Sequence, residues 1–162
     1  MDLIAIAARS KNNVMGAGDK LPWPRDKQDL EWFRDVTTGY PIIMGSLTYL
    51  SLPKKLKDRE HIVLTRNAYG LGLLLTHDKL EHPEHMLNMH QLNSWLAKHD
   101  GKAFVIGGAQ TLLAFNTRIN SVMLRTFDAE YKGNILFPEI ILDGRKLIME
   151  ERWDHSVTEL YL

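Results

Sequence analysis

Short, nearly unbroken apolar runs alternate along this chain with longer amphipathic stretches. Residues 3–8 are apolar throughout, as a strand buried on both faces requires. Residues 9–20 carry Asn12, Asn13, Gly16 and Gly18 and read as a flexible loop, interrupted by Val14 and Met15. The period then changes: from about residue 26 to residue 37, Asp29, Leu30, Trp32, Phe33 and Val36 recur at helical spacing. Asp26 is placed to cap this helix, with Asp29 three residues on. Pro22 and Pro24 stiffen the preceding turn around Trp23.

Residues 41–45 and 61–65 read as a second and a third strand. Between them lie a short helix over 47–52, stopped by Pro53, and a basic loop over 54–59. The leucine run at 71–76 reads as a fourth strand and 77–87 as a polar loop. Asn88 and Gln91 have capping-box spacing and predict a helix through Leu92, Trp95, Leu96 and His99, ended at Asp100 and Gly101. Residues 103–106 read as a strand that runs straight into Gly107 and Gly108, and the next helix carries Leu112, Leu113 and Phe115. Residues 122–127 form another strand, and 147–153 and 157–162 pair across a turn at Asp154 and His155. Strands and helices in this alternation predict a parallel α/β sheet with an antiparallel edge at the C-terminal end.

Composition narrows the function classes. The 162 residues argue for one domain, with 44% hydrophobic residues supplying a core. A formal net charge of +0 does not resemble the basic footprint of a nucleic-acid binder. Zero cysteines exclude a disulfide framework, a thiolate metal site and a cysteine nucleophile, and fit a reducing compartment. No apolar run approaches the roughly 20 residues of a membrane span, and the N-terminus lacks the basic start of a signal peptide.

The candidate chemistry is concentrated in a few places. Asp29 lies one turn from Trp32 and Phe33, so its carboxylate shares a face with two aromatic rings. Poor solvation there raises the pKa of a carboxyl group towards working pH, which suits a group that holds or relays a proton. An acidic residue in the first turn also simply complements the helix dipole. Gly107 and Gly108, between a strand and a helix, allow a phosphate close to the backbone, although the spacing matches neither a Rossmann fingerprint nor a P-loop. Arg59 ends a loop that also holds Lys54, Lys55 and Lys57; it is either a solvated charge or a bidentate clamp for a carboxylate. His77, His82, His85 and His90 have no metal-ligand spacing, and no metal site is expected.

Together these marks resemble the dihydrofolate reductases, in family order and over nearly the whole chain. The residues that carry the resemblance are Leu21-Pro22-Trp23, Asp29-Leu30 with Phe33, residues 41–45 followed by Thr48, Leu56 with Arg59, Val63-Leu64-Thr65-Arg66, Ile106-Gly107-Gly108-Ala109-Gln110, and residues 133–138. The resemblance implies an eight-stranded, mostly parallel twisted sheet flanked by four helices, and hydride transfer from NADPH to 7,8-dihydrofolate. It implies a catalytic centre at Asp29 with Trp23 and Leu21, the acid bonding the 2-amino group and N3 of the pteridine and supporting protonation at N5. Ile6, Ala8, Leu30, Phe33, Leu52 and Leu56 would line the folate pocket, and Arg59 would take the glutamate carboxylate. NADPH would be held by Ala8, Met15, Gly16, Gly45, Ser46, Thr48, Leu64, Thr65, Arg66, Ile106, Gly107, Gly108, Ala109, Gln110, Thr111 and Leu112. Gly107-Gly108 matches a cis peptide bond of the family, and residues 15–21 match its mobile loop.

The chain departs from the family pattern at Ser46, where a basic residue is usual, and at Leu112, where an aromatic residue is common. It departs again at Arg125, in place of a threonine beside the acid, and at Asn134-Ile135. The expected partners are dihydrofolate and antifolates, with no nucleic acid and no membrane, in a cytoplasmic monomer. A riboflavin-pathway pyrimidine reductase and a folate-binding protein with little turnover are the alternative readings of the same residues.

Overall fold

The computed structural model describes residues 1–78 and 80–162. Eight strands form one sheet: β1 (Asp2–Arg9), β3 (Ile42–Gly45), β4 (His61–Leu64), β5 (His85–Leu87), β6 (Lys102–Gly107), β7 (Ser121–Phe127), β9 (Leu147–Arg152) and β10 (Ser156–Tyr161). Their spatial order is β5-β4-β3-β6-β1-β7-β10-β9. Pairings from β5 across to β7 are parallel, whereas β10 is antiparallel to both β7 and β9. The antiparallel C-terminal edge therefore stands as expected. A separate two-stranded ribbon joins β2 (Val14–Gly16), within the stretch expected to be loop, to β8 (Ile135–Leu136).

Helices cover both faces, which is why β1 is apolar along nearly its whole length. Side chains alternate across the pleat. Ile4 and Ile6 pack on one side with Met44, Val63 and Phe104, beneath Trp32 and Phe33 of α1 (Lys27–Thr37), Tyr49 of α2 (Ser46–Ser51) and Leu71 and Leu75 of α3 (Ala68–His77). Leu3, Ala5 and Ala7 pack on the other side with Leu92 and Leu96 of α4 (Met89–Lys98) and Leu112 of α5 (Ala109–Ala114).

The sheet has the expected eight strands, but among the described residues five α-helices flank it instead of four. Residues 71–76, read as a strand, belong to α3. Asn67 caps that helix by accepting a hydrogen bond from the Gly70 N–H at 2.8 Å. Leu71 and Leu75, one turn apart, face the core, while Leu73 and Leu74 face solvent. Four leucines within five residues, on both faces, thus hid a helical period. The fourth parallel strand is β5, a three-residue segment inside the stretch expected to be polar loop.

Two caps formed as their spacing predicted. The Asp26 carboxylate accepts from the Asp29 N–H at 2.7 Å at the start of α1. Asn88 and Gln91 make the reciprocal capping box of α4. No helix among the described residues is long and apolar enough to cross a membrane.

Candidate functional site

Because β1, β3, β4 and β6 run parallel, their carboxyl ends open on the same edge of the sheet. This gathers Ala8, Gly45, Leu64-Thr65 and Gly107-Gly108, which are far apart in the chain. Ligands of parallel α/β sheets bind beyond that edge. α1 brings Asp29 to the β1–β7 side, where Ala8 pairs in register with Arg125. Asp29 is buried, at 8% exposure. No side chain or backbone N–H among the described residues hydrogen-bonds its carboxylate. Burial is the main reason its pKa rises from 3.8 to about 6; the nearby Arg125 guanidinium opposes the rise and Asp26 adds to it.

Most of the apolar residues expected to line the site belong to the cluster beneath α1. Ile6 is buried, and Phe33, Leu52 and Leu56 pack partly buried against the same cluster. Leu30 is exposed on the outer side of α1, and Leu21 is exposed in the turn before it. Trp23 is buried, with its ring 4.5 Å from that of Phe127, and its indole Nε1 is buried without a hydrogen-bond partner among the described residues. A buried donor in that state costs stability unless a water or ligand answers it.

Arg59 is anchored at two points. Its Nε donates to the Lys57 carbonyl at 3.0 Å and its Nη1 to Thr37 Oγ1 at 3.1 Å, with the guanidinium 5.9 Å from the centre of the Phe33 ring. Burial lowers its pKa, with Asp58 raising it and Arg34 lowering it further. The pull of Thr37 and Lys57 leaves Nη2 free of any partner among the described residues. A preset guanidinium with an open donor suits a carboxylate ligand.

Behind Leu56 lies a brace that spacing does not reveal. His61 has no exposed surface, and its Nε2 accepts from the Leu56 N–H at 3.1 Å. Glu84 takes the His61 N–H at 2.7 Å and pairs with Lys55. Nothing in the polar stretch around Glu84 marks it as support for residues 52–59, because the contact depends on β5 lying beside β4.

The opposite wall is built of glycine. The peptide bond between Gly107 and Gly108 is cis, and Gly107 has φ of 116°, a region that L side chains rarely adopt. A Cβ on Gly45 would lie 2.9 Å from Thr111 Oγ1, so the β3–α2 and β6–α5 turns touch through the missing side chain. A Cβ on Gly108 would lie 3.5 Å from Thr48 Oγ1, and one on Gly107 4.0 Å from Met15 Cε. Gly45, Thr48, Gly107, Gly108, Thr111 and Met15 thus come together, with Ser46 and Ala109 opening the two short helices. Ile106 and Leu64 are partly buried at the ends of their strands, while Arg66 and Gln110 are exposed at the rim. Leu112 has no exposed surface and packs in the core with Phe115 and Leu124.

Met15 and Gly16 lie in the β2–β8 ribbon, and the Gly18 N–H donates to Asn134 Oδ1 at 2.8 Å. Asn134, where the sequence left the family pattern, therefore holds the loop that leads to Leu21.

A buried carboxylate beside the β1–β7 pair and glycine-lined turns after β3 and β6 place these groups at the carboxyl edge of the sheet, where α/β proteins of this class bind their ligands. The sequence matches the family described as dihydrofolate reductase over residues 2–158. It is 32% identical over 158 residues to dihydrofolate reductase type 8 of Escherichia coli, covering 96% of this chain and 93% of that protein. It is 28% identical over 140 residues to the dihydrofolate reductase of Haemophilus influenzae, covering 86% and 81%. A solved dihydrofolate reductase from Enterococcus faecalis, complexed with NADP(H) and RAB-propyl, shares the fold with a TM-score of 0.82 at 21% identity, over 99% of this chain and 95% of that one. The chain belongs to the dihydrofolate reductase family.

Proposed function

We propose that this chain reduces 7,8-dihydrofolate to 5,6,7,8-tetrahydrofolate with NADPH as its cofactor. The observation that carries this reading is Asp29, a buried carboxylate on α1 that accepts no hydrogen bond from any side chain or backbone N–H among the described residues. As a carboxylate it can accept from the 2-amino group and N3 of a pteridine. With a pKa near 6 it is protonated in part of the population at neutral pH, so it can support proton delivery to N5. Ile6, Phe33, Leu52 and Leu56 exclude water from the ring, and Trp23 offers its unmatched Nε1 to the same site. Arg59 takes the glutamate carboxylate at the mouth. Antifolates would compete for this half of the cleft.

The glycine cradle fits the dinucleotide: Gly45, Thr48, Gly107, Gly108 and Thr111 leave backbone and hydroxyl groups open where a Cβ would intrude. NADPH supplies the hydride when bound. Ser46 can donate a hydrogen bond to a phosphate but brings no charge, which leaves Arg66 as the cation for the phosphate that separates NADPH from NADH. Ser46→Arg should therefore tighten NADPH more than NADH, read as the ratio of the two Kd values; an unchanged ratio places residue 46 away from the phosphates. Zero cysteines fit the cytoplasm, and the same reading takes the protein as a monomer, testable by sedimentation.

The deciding assay is NADPH oxidation with dihydrofolate, followed at the nicotinamide band near roughly 340 nm. Asp29→Asn should retain NADPH binding and lower turnover about 10²–10⁴-fold, whereas Asp26→Asn should cost little beyond helix capping. Equal and small losses from the two would remove Asp29 from the mechanism.

A further inference from the structure

We propose, resting on the reading of Asp29 as the acid of the pteridine site, that Arg125 is a positioning residue that fixes the charge Asp29 presents to the substrate while leaving its oxygens free. Arg125 stands where the family usually has a threonine. It has no exposed surface, although arginine is almost never fully buried without partners. Its partners lie on several elements. Nε donates to Ser156 Oγ of β10 at 2.9 Å, Nη1 to the Gln28 carbonyl of α1 at 3.3 Å, and Nη2 to Gln28 Oε1 at 3.2 Å. The rings of Trp32, Phe127 and Trp153 enclose the guanidinium with centres 5.7, 5.9 and 5.0 Å away.

What the guanidinium does not do is decisive. Its Nε lies 3.9 Å from Asp29 Oδ1, beyond hydrogen-bond reach. The usual bidentate pair would occupy both carboxylate oxygens. Here Nε, the atom nearest Asp29, donates to Ser156 and one N–H of each Nη is turned to Gln28, so the hydrogen bond to Asp29 is forgone while the Coulomb attraction, which falls only as 1/r, persists. Gln28 precedes Asp29 in α1, so the same anchor also fixes the carboxylate's direction. The charged groups around Asp29 are Asp26 on its own helix and Arg125 on β7. Asp29, Asp26 and Glu151 of β9 in turn support the charge on Arg125 against burial. β1 offers no ionisable side chain between Leu3 and Ala8. Burial raises the Asp29 carboxyl and the Arg125 charge draws it back down, so that both forms are populated around pH 6.

The test follows the Asp29 carboxyl directly, in full-length ligand-free protein carrying ¹³C-carboxyl aspartate, with Asp29→Asn assigning the signal. Arg125→Met removes the charge and keeps most of the length; Arg125→Lys keeps the charge and loses the fork. Arg125→Met should raise the titration midpoint by about one to three pH units, and the alkaline fall of dihydrofolate turnover should move up with it. Arg125→Lys should keep the midpoint near wild type. An unchanged midpoint in Arg125→Met, or equal shifts in both variants, overturns the proposal and leaves Arg125 a purely structural bolt. Ser156→Ala makes the smallest change to the core and tests the other half of the idea. It frees Nε to turn onto Asp29, so the midpoint should fall and dihydrofolate should bind less tightly; no change in either overturns the claim that Ser156 keeps the two groups apart. The carboxyl titration does not depend on turnover. If it behaves as stated while Asp29→Asn leaves dihydrofolate reduction intact, the function assigned to Asp29 fails and the electrostatic role of Arg125 stands.

Discussion

Asp29 costs the fold what it gives to the site. Its folded pKa of about 6 lies above its ordinary 3.8, so the neutral form is the one the folded protein prefers. Well below pH 3.8 the group is protonated in both states and no penalty applies; the penalty grows as pH rises from 3.8 towards 6, above which the folded protein must carry a buried charge. Asp29→Asn should thus nearly match wild type in stability near pH 4 and exceed it above pH 6, by up to about 3 kcal/mol at 1.36 kcal/mol per pH unit. Urea melts at pH 4 and pH 8 check this, and a variant less stable at pH 8 would refute it. Arg59 is expected to act on binding alone. A charge-assisted pair contributes about 1.5–3 kcal/mol, so Arg59→Ala should weaken dihydrofolate about ten- to a hundred-fold and leave a pteridine without the glutamate tail nearly unaffected. Equal weakening of both ligands would mean that Arg59 supports structure. At this scale the sequence was informative where chemistry is local: Asp29 beside Trp32 and Phe33 within one helix foretold a poorly solvated carboxyl. The partners of Arg125 were not legible, because Gln28, Ser156 and Trp153 meet it only through tertiary packing.

Among the elements, legibility followed length and capping. α1 and α4 announced themselves through Asp26 and through Asn88 with Gln91, side chains that satisfy the free N–H groups of a first turn. α3 did not, because Leu71, Leu73, Leu74 and Leu75 fall on both of its faces and blur the period, although Asn67 was available as its cap. β5 is three residues long and gains its identity only from pairing with β4. That short strand has a functional reach, since Glu84, immediately before it, holds the segment that carries Leu56 and Arg59. Burial pushes the Glu84 carboxyl up, but hydrogen bonds from Lys55 and from the His61 N–H outweigh it and hold the pKa at about 2. A depressed carboxyl contributes stability above its ordinary 4.5 and loses it as pH falls towards 2. Glu84→Gln should therefore speed hydrogen exchange at the Leu56 amide and raise KM for dihydrofolate with kcat little changed, the exchange difference shrinking below pH 4. Unchanged exchange at Leu56 would show that Lys55 and His61 hold the segment without Glu84.

Across the whole molecule, alternation of strand and helix was enough to foretell the parallel sheet and its antiparallel edge, because burial on both faces writes itself into composition. Spatial order was not written there. β1, the first strand of the chain, lies between β6 and β7, with Ala5 in register with Val105 on one side and Val122 on the other. A chain ending at residue 100 lacks both neighbours of β1 and should show no cooperative melt by circular dichroism; a sharp transition in that fragment would contradict this. The position of β1 also sets a timetable. At about 5–20 residues per second of synthesis, the first strand waits on the order of 5–20 seconds for Val105 to be made, and longer for it to leave the ribosome. During that time its apolar run has nothing of its own chain to pair with, which makes the newborn protein, rather than the finished one, the form most exposed to chaperones and to aggregation.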